Sequence, residues 1–508
     1  MLAKVHSFGL NGLNGFPVLV EADVSNGIPA YETVGLPDAA VRESRERVRA
    51  AVKNSGLEFP ASRITVSLAP ADLKKEGSVY DLPIAIGVLA ATGQVPQSAV
   101  GNAVFLGELA LDGAVRPVNG IMPMVIGAYG SGAKRIFLPA QNAAEAAYVE
   151  GVEILPLGSL SEAAAYLRGK TELVPAKRHV WSASEMKYGA DFSEIRGQQG
   201  AKRAAEVAVA GGHNLMLIGT PGSGKTMLAR SVPSILPELT FEEALEITKI
   251  HSVTGALRGA DGIVAERPFR APHHSASTAA LVGGGAKALP GEISLAHYGV
   301  LFLDEFPEFK KSSLEALRQP LEDGTVTITR ANSRATYPAD FMLVAAMNPC
   351  PCGNYGSRKT PCRCTNAQIK QYRGRISSPM LDRIDLHVEM TEVEFEELSK
   401  KTPGEPSAAV RARVNEARRL QRERYKNDGI LFNAQLSNAL LKTYCALDER
   451  GSAVLQKAFS ALNLSARAYS RILKVARTIA DLEGSESVKS AHVAEAIQYR
   501  SLDGKYWG

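Results

Sequence analysis

The sequence predicts an α/β core preceded by a separate α+β domain and followed by helices, and three observations predict it. The run Gly219-Thr220-Pro221-Gly222-Ser223-Gly224-Lys225-Thr226 follows the apolar stretch Leu215 to Ile218 and leads into the helix-forming Met227, Leu228, Ala229 and Arg230. This is the strand–loop–helix setting of a P-loop. Two further continuous apolar runs, 299–303 and 341–346, suit strands buried on both faces of a parallel sheet. From Val393 onward Ala, Leu, Arg and Glu recur at helical spacing with few β-branched runs, which reads as a helical lid.

Taken in order, residues 1–170 mix short β-branched strands (Ile64 to Leu68, Ile136 to Leu138) with helices such as Pro37 to Ser55 and hold no phosphate loop. They are expected to form the α+β domain. Residues 171–193 are polar, carry Pro175 and read as a linker. Residues 194–392 form the α/β core and 393–508 the lid. A length of 508 residues suits about three domains, and 45% hydrophobic with 22% charged residues describes ordinary globular structure. No apolar run approaches the ~20 residues that span a bilayer, and the first residues lack a signal-peptide pattern, so a cytoplasmic protein with no membrane partner is expected. The net charge of +5 is too small to diagnose a nucleic-acid partner. The cluster Arg411, Arg413, Arg418, Arg419, Arg422, Arg424 and Lys426 reads first as a solvated helix face.

The P-loop glycines let backbone N–H groups curl around phosphate, Lys225 reaches the β and γ phosphates, and the Thr226 hydroxyl suits Mg²⁺. ATP and Mg²⁺ are therefore the expected cofactors. The strand ending at Leu303 delivers Asp304 and Glu305 as a Walker B pair, Asp304 for Mg²⁺ and Glu305 as general base. The next buried strand ends in Asn348, a polar side chain placed to orient the attacking water. Four of the five cysteines fall together as Cys350-Pro351-Cys352 and Cys362-Arg363-Cys364. Two thiol pairs closing a loop suggest a Cys₄ zinc site; metal-free thiols and disulfides are the alternatives.

The runs DFSEIRGQQGAKRAAEVAVAGGHNLMLIGTPGSGKT, RPFRAPHHSAS, GVLFLDEFPEF, AAMNPCPCG and SSPMLDRIDLHVE resemble the ComM/YifB family of magnesium-chelatase-like AAA+ proteins along essentially the whole chain. That family is similar to the magnesium chelatase ATPase and to MCM helicases, which share two insertions with it. The resemblance implies a first insertion around Ser275 to Ile293, with Lys287 near its tip, and a hairpin of Thr325 to Thr329 and Ala335 to Tyr337. By the same resemblance Lys287, Arg330 and Arg334 are the DNA-contacting candidates, Arg383 matches an arginine finger acting on a neighbouring subunit, and Arg467 matches the sensor-2 arginine, with Arg471 its rival. A finger in trans implies a homo-oligomeric ring, a hexamer by family expectation. Residues 72–84 and 107–139 resemble the proteolytic domain of Lon, but Val79 stands at the nucleophile position, with Ser78 one residue off, and Met122 at the lysine position. A thioether cannot take a proton from serine, so this domain is expected to be proteolytically inactive. The resemblance implies an ATP-dependent DNA motor, a ring helicase promoting branch migration in natural transformation and recombination. The alternative is a chelatase-type ATPase remodelling a metal-insertion complex.

Overall fold

Alternating burial along Leu2–Asn11, Asn14–Ser25 and Arg63–Ala69 makes these three strands an antiparallel, half-covered ribbon. The computed structural model describes all residues except 182–188, 258–261, 286–287, 331–332, 358, 394–396, 398–403, 463 and 508, and it leaves the side chains of 330 and 333 undescribed. The chain divides into two compact units, Met1–Ser182 with Thr240–Val264, and Ala183–Leu239 with Ala265–Gly508.

In the first unit the ribbon continues into a seven-stranded sheet, ordered Ala30–Val34, Arg63–Ala69, Asn14–Ser25, Leu2–Asn11, Ala103–Phe105, Arg135–Pro139 and Glu153–Leu157. The helix Asp81–Ala91 is apolar all round, so it is buried all round. Ala39–Asn54, capped by Asp38 through Val41 N at 2.8 Å, buries Val41, Val48, Ala51 and Val52 and turns Arg47 to Asp81 at 2.6 Å. The stretch expected as a linker lies partly along this unit, with Ala176 N donating to Ile154 O and His179 N to Ala147 O. Thr240–Val264 also belongs here, whereas the sequence reading placed it in the ATPase core. Its helix Phe241–Thr254 starts with a Thr240/Glu243 capping box. Ser252 Oγ donates to the buried Glu145 carboxylate and Gly120 N to Ser252 O.

The second unit holds an all-parallel five-stranded sheet, ordered Phe269–Arg270, Val300–Leu303, Met342–Met347, Leu215–Gly219 and Leu386–Met390. Every residue of the three middle strands is buried, as their unbroken apolar runs require. The alanine face of Gln199–Gly211 and the helices Ser407–Arg424 and Ala466–Leu482 share one hydrophobic core with this sheet. The C-terminal helical region is therefore continuous in packing with the α/β core. The basic cluster in Ser407–Arg424 is largely occupied within the unit: Arg413 pairs with Glu206 and Glu405, Arg419 with Glu416 and Glu423, and Arg424 with Asp481. Arg267 donates to the carbonyls of Pro237, Glu238 and Tyr298, tying the two ends from which residues 240–264 depart. None of the described helices is long and apolar enough to cross a membrane.

Candidate active site

The strand Leu215–Gly219 lies between Met342–Met347 and Leu386–Met390, so the loop after it opens at the shared C-terminal edge of the sheet. Gly222 and Gly224 take φ of 78° and 90°, conformations open to glycine, and the helix Lys225–Ser231 starts directly after them. Lys225 is 8% exposed, and its Nζ donates to Gly219 O (2.7 Å), Thr220 O (2.9 Å) and Asn348 Oδ1 (3.2 Å). Burial pulls this ammonium below its ordinary pKa, against the opposing pull of Asp304.

Thr226 Oγ1 donates to Asp304 Oδ2 at 2.9 Å, and Asp304 Oδ1 accepts from Glu305 N at 2.9 Å. The donor set fits a magnesium–triphosphate pair: a hydroxyl and a carboxylate sit in mutual contact, a lysine lies within the loop, and the buried hydroxyls of Thr220 and Ser223 have no hydrogen-bond partner among the described residues. Glu305 has φ of 51°, an uncommon backbone for a residue other than glycine, and its Oε2 lies 2.9 Å from His274 Nδ1. The sequence reading did not single out His274. It stands inside the RPFRAPHHSAS run, but no spacing rule brings a residue 31 positions upstream (305 − 274) to the general-base candidate. Gln198 was missed likewise; its Nε2 donates to Ser223 O at 3.1 Å and Thr391 O at 2.6 Å, bridging the phosphate loop and the neighbouring edge strand.

The arginine candidates gather elsewhere in this unit. Arg383, 7% exposed, pairs with Glu322 and donates to Pro379 O at 2.7 Å. Arg467, 68% exposed, reaches Asp382 at 3.3 Å. Arg471 pairs with buried Asp385, and His213 Nδ1 lies 3.1 Å from the other oxygen of that carboxylate. Burial pushes the Asp385 pKa up, but Arg471 and His213 outweigh it and hold the carboxylate below its usual range. Arg383, Arg467, Arg471 and Lys474 line one cavity of 720 Å³ together with Glu322 and Asp382, and no phosphate-loop residue lines it.

The hairpin forms from Thr325–Arg330 and Ser333–Pro338, with Arg330 opposite Ser333 and Thr329 opposite Arg334. Val326, Ile328, Ala335 and Tyr337 are buried, while Arg334 is exposed. The first insertion contains the helix Thr278–Val282 and the paired residues Gly283–Gly284 and Leu289–Pro290. Lys287 and the Ala331-Asn332 turn lie outside the described residues.

The four clustered cysteines come together, all Sγ atoms within 4.8 Å of one another. Cys350 Sγ lies 3.4 Å from Cys352 and 3.6 Å from Cys362, and Cys352 lies 3.6 Å from Cys362. Four sulfurs ~2.3 Å from a tetrahedral zinc stand about 3.8 Å apart, so the residues fit this metal. Burial pushes the Cys350 thiol up to about 12, while the backbone N–H groups of Arg363 and Asn354 bring Cys352 down to about 6.

A parallel sheet with a phosphate loop on one strand, an acid pair on another and helices sharing its core is the architecture of an AAA+ ATPase. Family models described as "Magnesium chelatase, subunit ChlI", "Subunit ChlI of Mg-chelatase" and "Magnesium chelatase, subunit ChlI C-terminal" match residues 191–398, 20–142 and 404–500. The chain is 45% identical to YifB of Escherichia coli (strain K12), covering 99% of this chain and 97% of that protein. It is 44% identical to the competence protein ComM of Haemophilus influenzae, covering 99% and 98%. The 67 kDa magnesium-chelatase subunit of Chlorobaculum parvum is 29% identical over 31% of this chain and 23% of that protein. The chain belongs to the magnesium-chelatase-like AAA+ family that includes YifB and ComM. Members of this family are AAA+ ATPases, which makes ATP with Mg²⁺ the cofactor pair.

Proposed function

We propose that this protein is a cytoplasmic, ATP-driven DNA motor: a ring helicase, hexameric by family expectation, that promotes branch migration in natural transformation and recombination. The observation that carries this reading is 44% identity to the competence protein ComM along nearly the full length of both chains. The exposed Arg334 beside the hairpin tip supports it. In this reading Gly219 to Thr226 hold the phosphates, Thr226 and Asp304 hold Mg²⁺, and Lys225 moves its hydrogen bonds from the loop carbonyls to phosphate oxygens. Magnesium, when bound, neutralises charge on the transferring phosphoryl group. Glu305 takes the proton of the attacking water, His274 steadies the Glu305 carboxylate, and Asn348 orients the water. Arg383 reaches the nucleotide of a neighbouring subunit as an arginine finger, and Arg467 acts from the lid as the sensor-2 arginine; the cavity that Arg383 lines, away from the phosphate loop, supports a role in trans for it. Lys287, Arg330 and Arg334 contact DNA phosphates, and the four clustered cysteines hold zinc.

The first unit is read as a Lon-protease-like domain without protease activity. Ser78 Oγ donates to Glu108, Lys75 Nζ donates to the carbonyls of Pro70 and Leu73, and Met122 stands where a catalytic lysine is needed.

The family models favour a second reading, a chelatase-type ATPase acting on a metal-insertion complex. ATPase assays with single-stranded, duplex and branched DNA separate the two. The motor reading expects DNA to stimulate hydrolysis and branched substrates to be resolved with ATP. ATP turnover indifferent to every DNA, without strand displacement, overturns it.

A further inference from the structure

The strand Met342–Met347 delivers Asn348 and, two residues on, Cys350. Because Asn348 Oδ1 accepts from Lys225 Nζ, the first cysteine stands two residues from the side chain that holds the phosphate-loop lysine. The turn between the cysteine pairs makes a second junction. Gly353 has φ of 81°, and a Cβ there would lie 2.7 Å from both Cγ and Cδ of Pro221 in the phosphate loop. Only glycine combines that backbone with so close an approach. The turn is held from the cysteine side as well. Gly353 N donates to Cys350 O at 3.0 Å, and Tyr355 N lies 3.3 Å from Cys350 Sγ. Arg373 Nε donates to Pro349 O at 3.0 Å while its guanidinium lies over the rings of Tyr355 and Tyr506. Beside this junction a cavity of 510 Å³ is lined by Gly219 and Thr220 of the P-loop strand and loop and by Tyr355, Gly356, Ser357 and Lys359 of the cysteine loop.

Gly353 of the cysteine loop thus lies against Pro221 of the phosphate loop, and Asn348, two residues before the first cysteine, holds Lys225. Displacing the cysteine loop moves both. All four cysteines are free thiols, so no covalent bond holds their loop closed. We infer that the four-cysteine site controls nucleotide affinity: a thiophilic divalent cation bound there fixes Gly353 against Pro221 and Asn348 against Lys225, and its loss releases the phosphate loop. This rests on the reading of the cysteines as a metal site.

The test uses the full chain, prepared with zinc as the probe metal. A fluorescent ATP analogue is titrated in excess Mg²⁺ before zinc-selective chelation, after it, and after zinc is returned, with zinc stoichiometry and far-UV circular dichroism measured at each stage. Affinity is expected to fall roughly ten- to hundredfold on chelation, the scale of about one lost hydrogen bond to a charged phosphate, and to recover with zinc. Gly353→Ala keeps all four sulfurs; it is expected to retain its zinc and still lose affinity to a similar degree. Zinc that binds and leaves with no change in nucleotide affinity overturns the inference and leaves the metal site standing. Unchanged affinity in zinc-loaded Gly353→Ala does the same, and it decides the matter if chelation unfolds the chain. A protein that takes up no zinc overturns both the inference and the reading beneath it.

Discussion

The Lys225 ammonium is satisfied three times by its own chain, through two loop carbonyls and Asn348, so nucleotide binding exchanges hydrogen bonds rather than creating them from nothing. A charge-assisted bond to phosphate is nevertheless stronger than one to a neutral carbonyl. Lys225→Ala is therefore expected to weaken ATP affinity roughly 10- to 100-fold, the equivalent of about 1.5–3 kcal/mol for a hydrogen bond to a charged group. Glu305 is half-exposed and touches His274 and not the phosphate loop. Glu305→Gln should thus leave ATP affinity within about twofold while kcat falls roughly 10²- to 10⁴-fold, the usual contribution of a general base. Equilibrium binding and single-turnover hydrolysis on both variants check this; equal losses of affinity would remove Glu305 from the role of base.

At the scale of the element, the hairpin Thr325–Arg330/Ser333–Pro338 divides its two faces cleanly. Val326, Ile328, Ala335 and Tyr337 are buried, with Tyr337 Oη donating to Ala288 O at 2.9 Å, so this face holds the hairpin in place. Thr327, Thr329, Arg334 and Thr336 are exposed on the other face. Replacing Arg334 should leave the fold intact, because its side chain is exposed. If the exposed face tracks DNA, Arg334→Ala weakens binding about equally for unrelated sequences and lowers the slope of log K against log salt by about 0.9 for each lost duplex phosphate contact. Salt titrations on two unrelated duplexes measure both quantities, and a wild-type slope takes Arg334 off the DNA path.

At the scale of the whole molecule, stability should respond to acid through the second unit. His213, packed between Asp385 and Thr478, and His387, beside Asp503, are fully buried, and burial lowers both pKa values despite the neighbouring carboxylates. The unfolded chain then takes up protons near pH 6.5 before the folded chain does. The contribution of these histidines is complete above about 6.5 and is lost progressively as pH falls below it towards the folded values. Asp385 adds a loss of the same sign lower down, beneath about pH 3.9. Trp181 lies in the first unit and Trp507, its ring tilted against His387 with centroids 5.5 Å apart, in the second. In a Trp181→Phe background, the urea midpoint read from Trp507 should drop between pH 7 and pH 5. A midpoint that holds or rises would mean the two imidazoles are charged in the folded state.

The phosphate loop and the acid pair after a buried strand were legible because each is written within a few consecutive residues, glycines where φ must be positive and unbroken apolar runs where a strand is covered on both faces, whereas the hairpin was expected from the family resemblance. The helical C-terminal region was legible for the same reason. Residues 240–264 carry an ordinary capping box and helix, and nothing within that window says which hydrophobic core receives them; the fit of Ser252 onto Glu145 and Gly120 decided it. His274 meets Glu305, Gln198 bridges to Thr391, and Arg383 and Arg467 share a cavity through contacts between residues 31 to 193 positions apart. Likewise nothing in the sequence around Gly353 says what it faces, and its position against Pro221 appears only in the tertiary structure. The sequence alone thus determined where the chain makes strands, loops and helices, since those depend on local backbone preference and hydrophobic period. Which of these elements meet was decided by tertiary packing, because burial and side-chain complementarity act between surfaces that no local stretch of sequence contains.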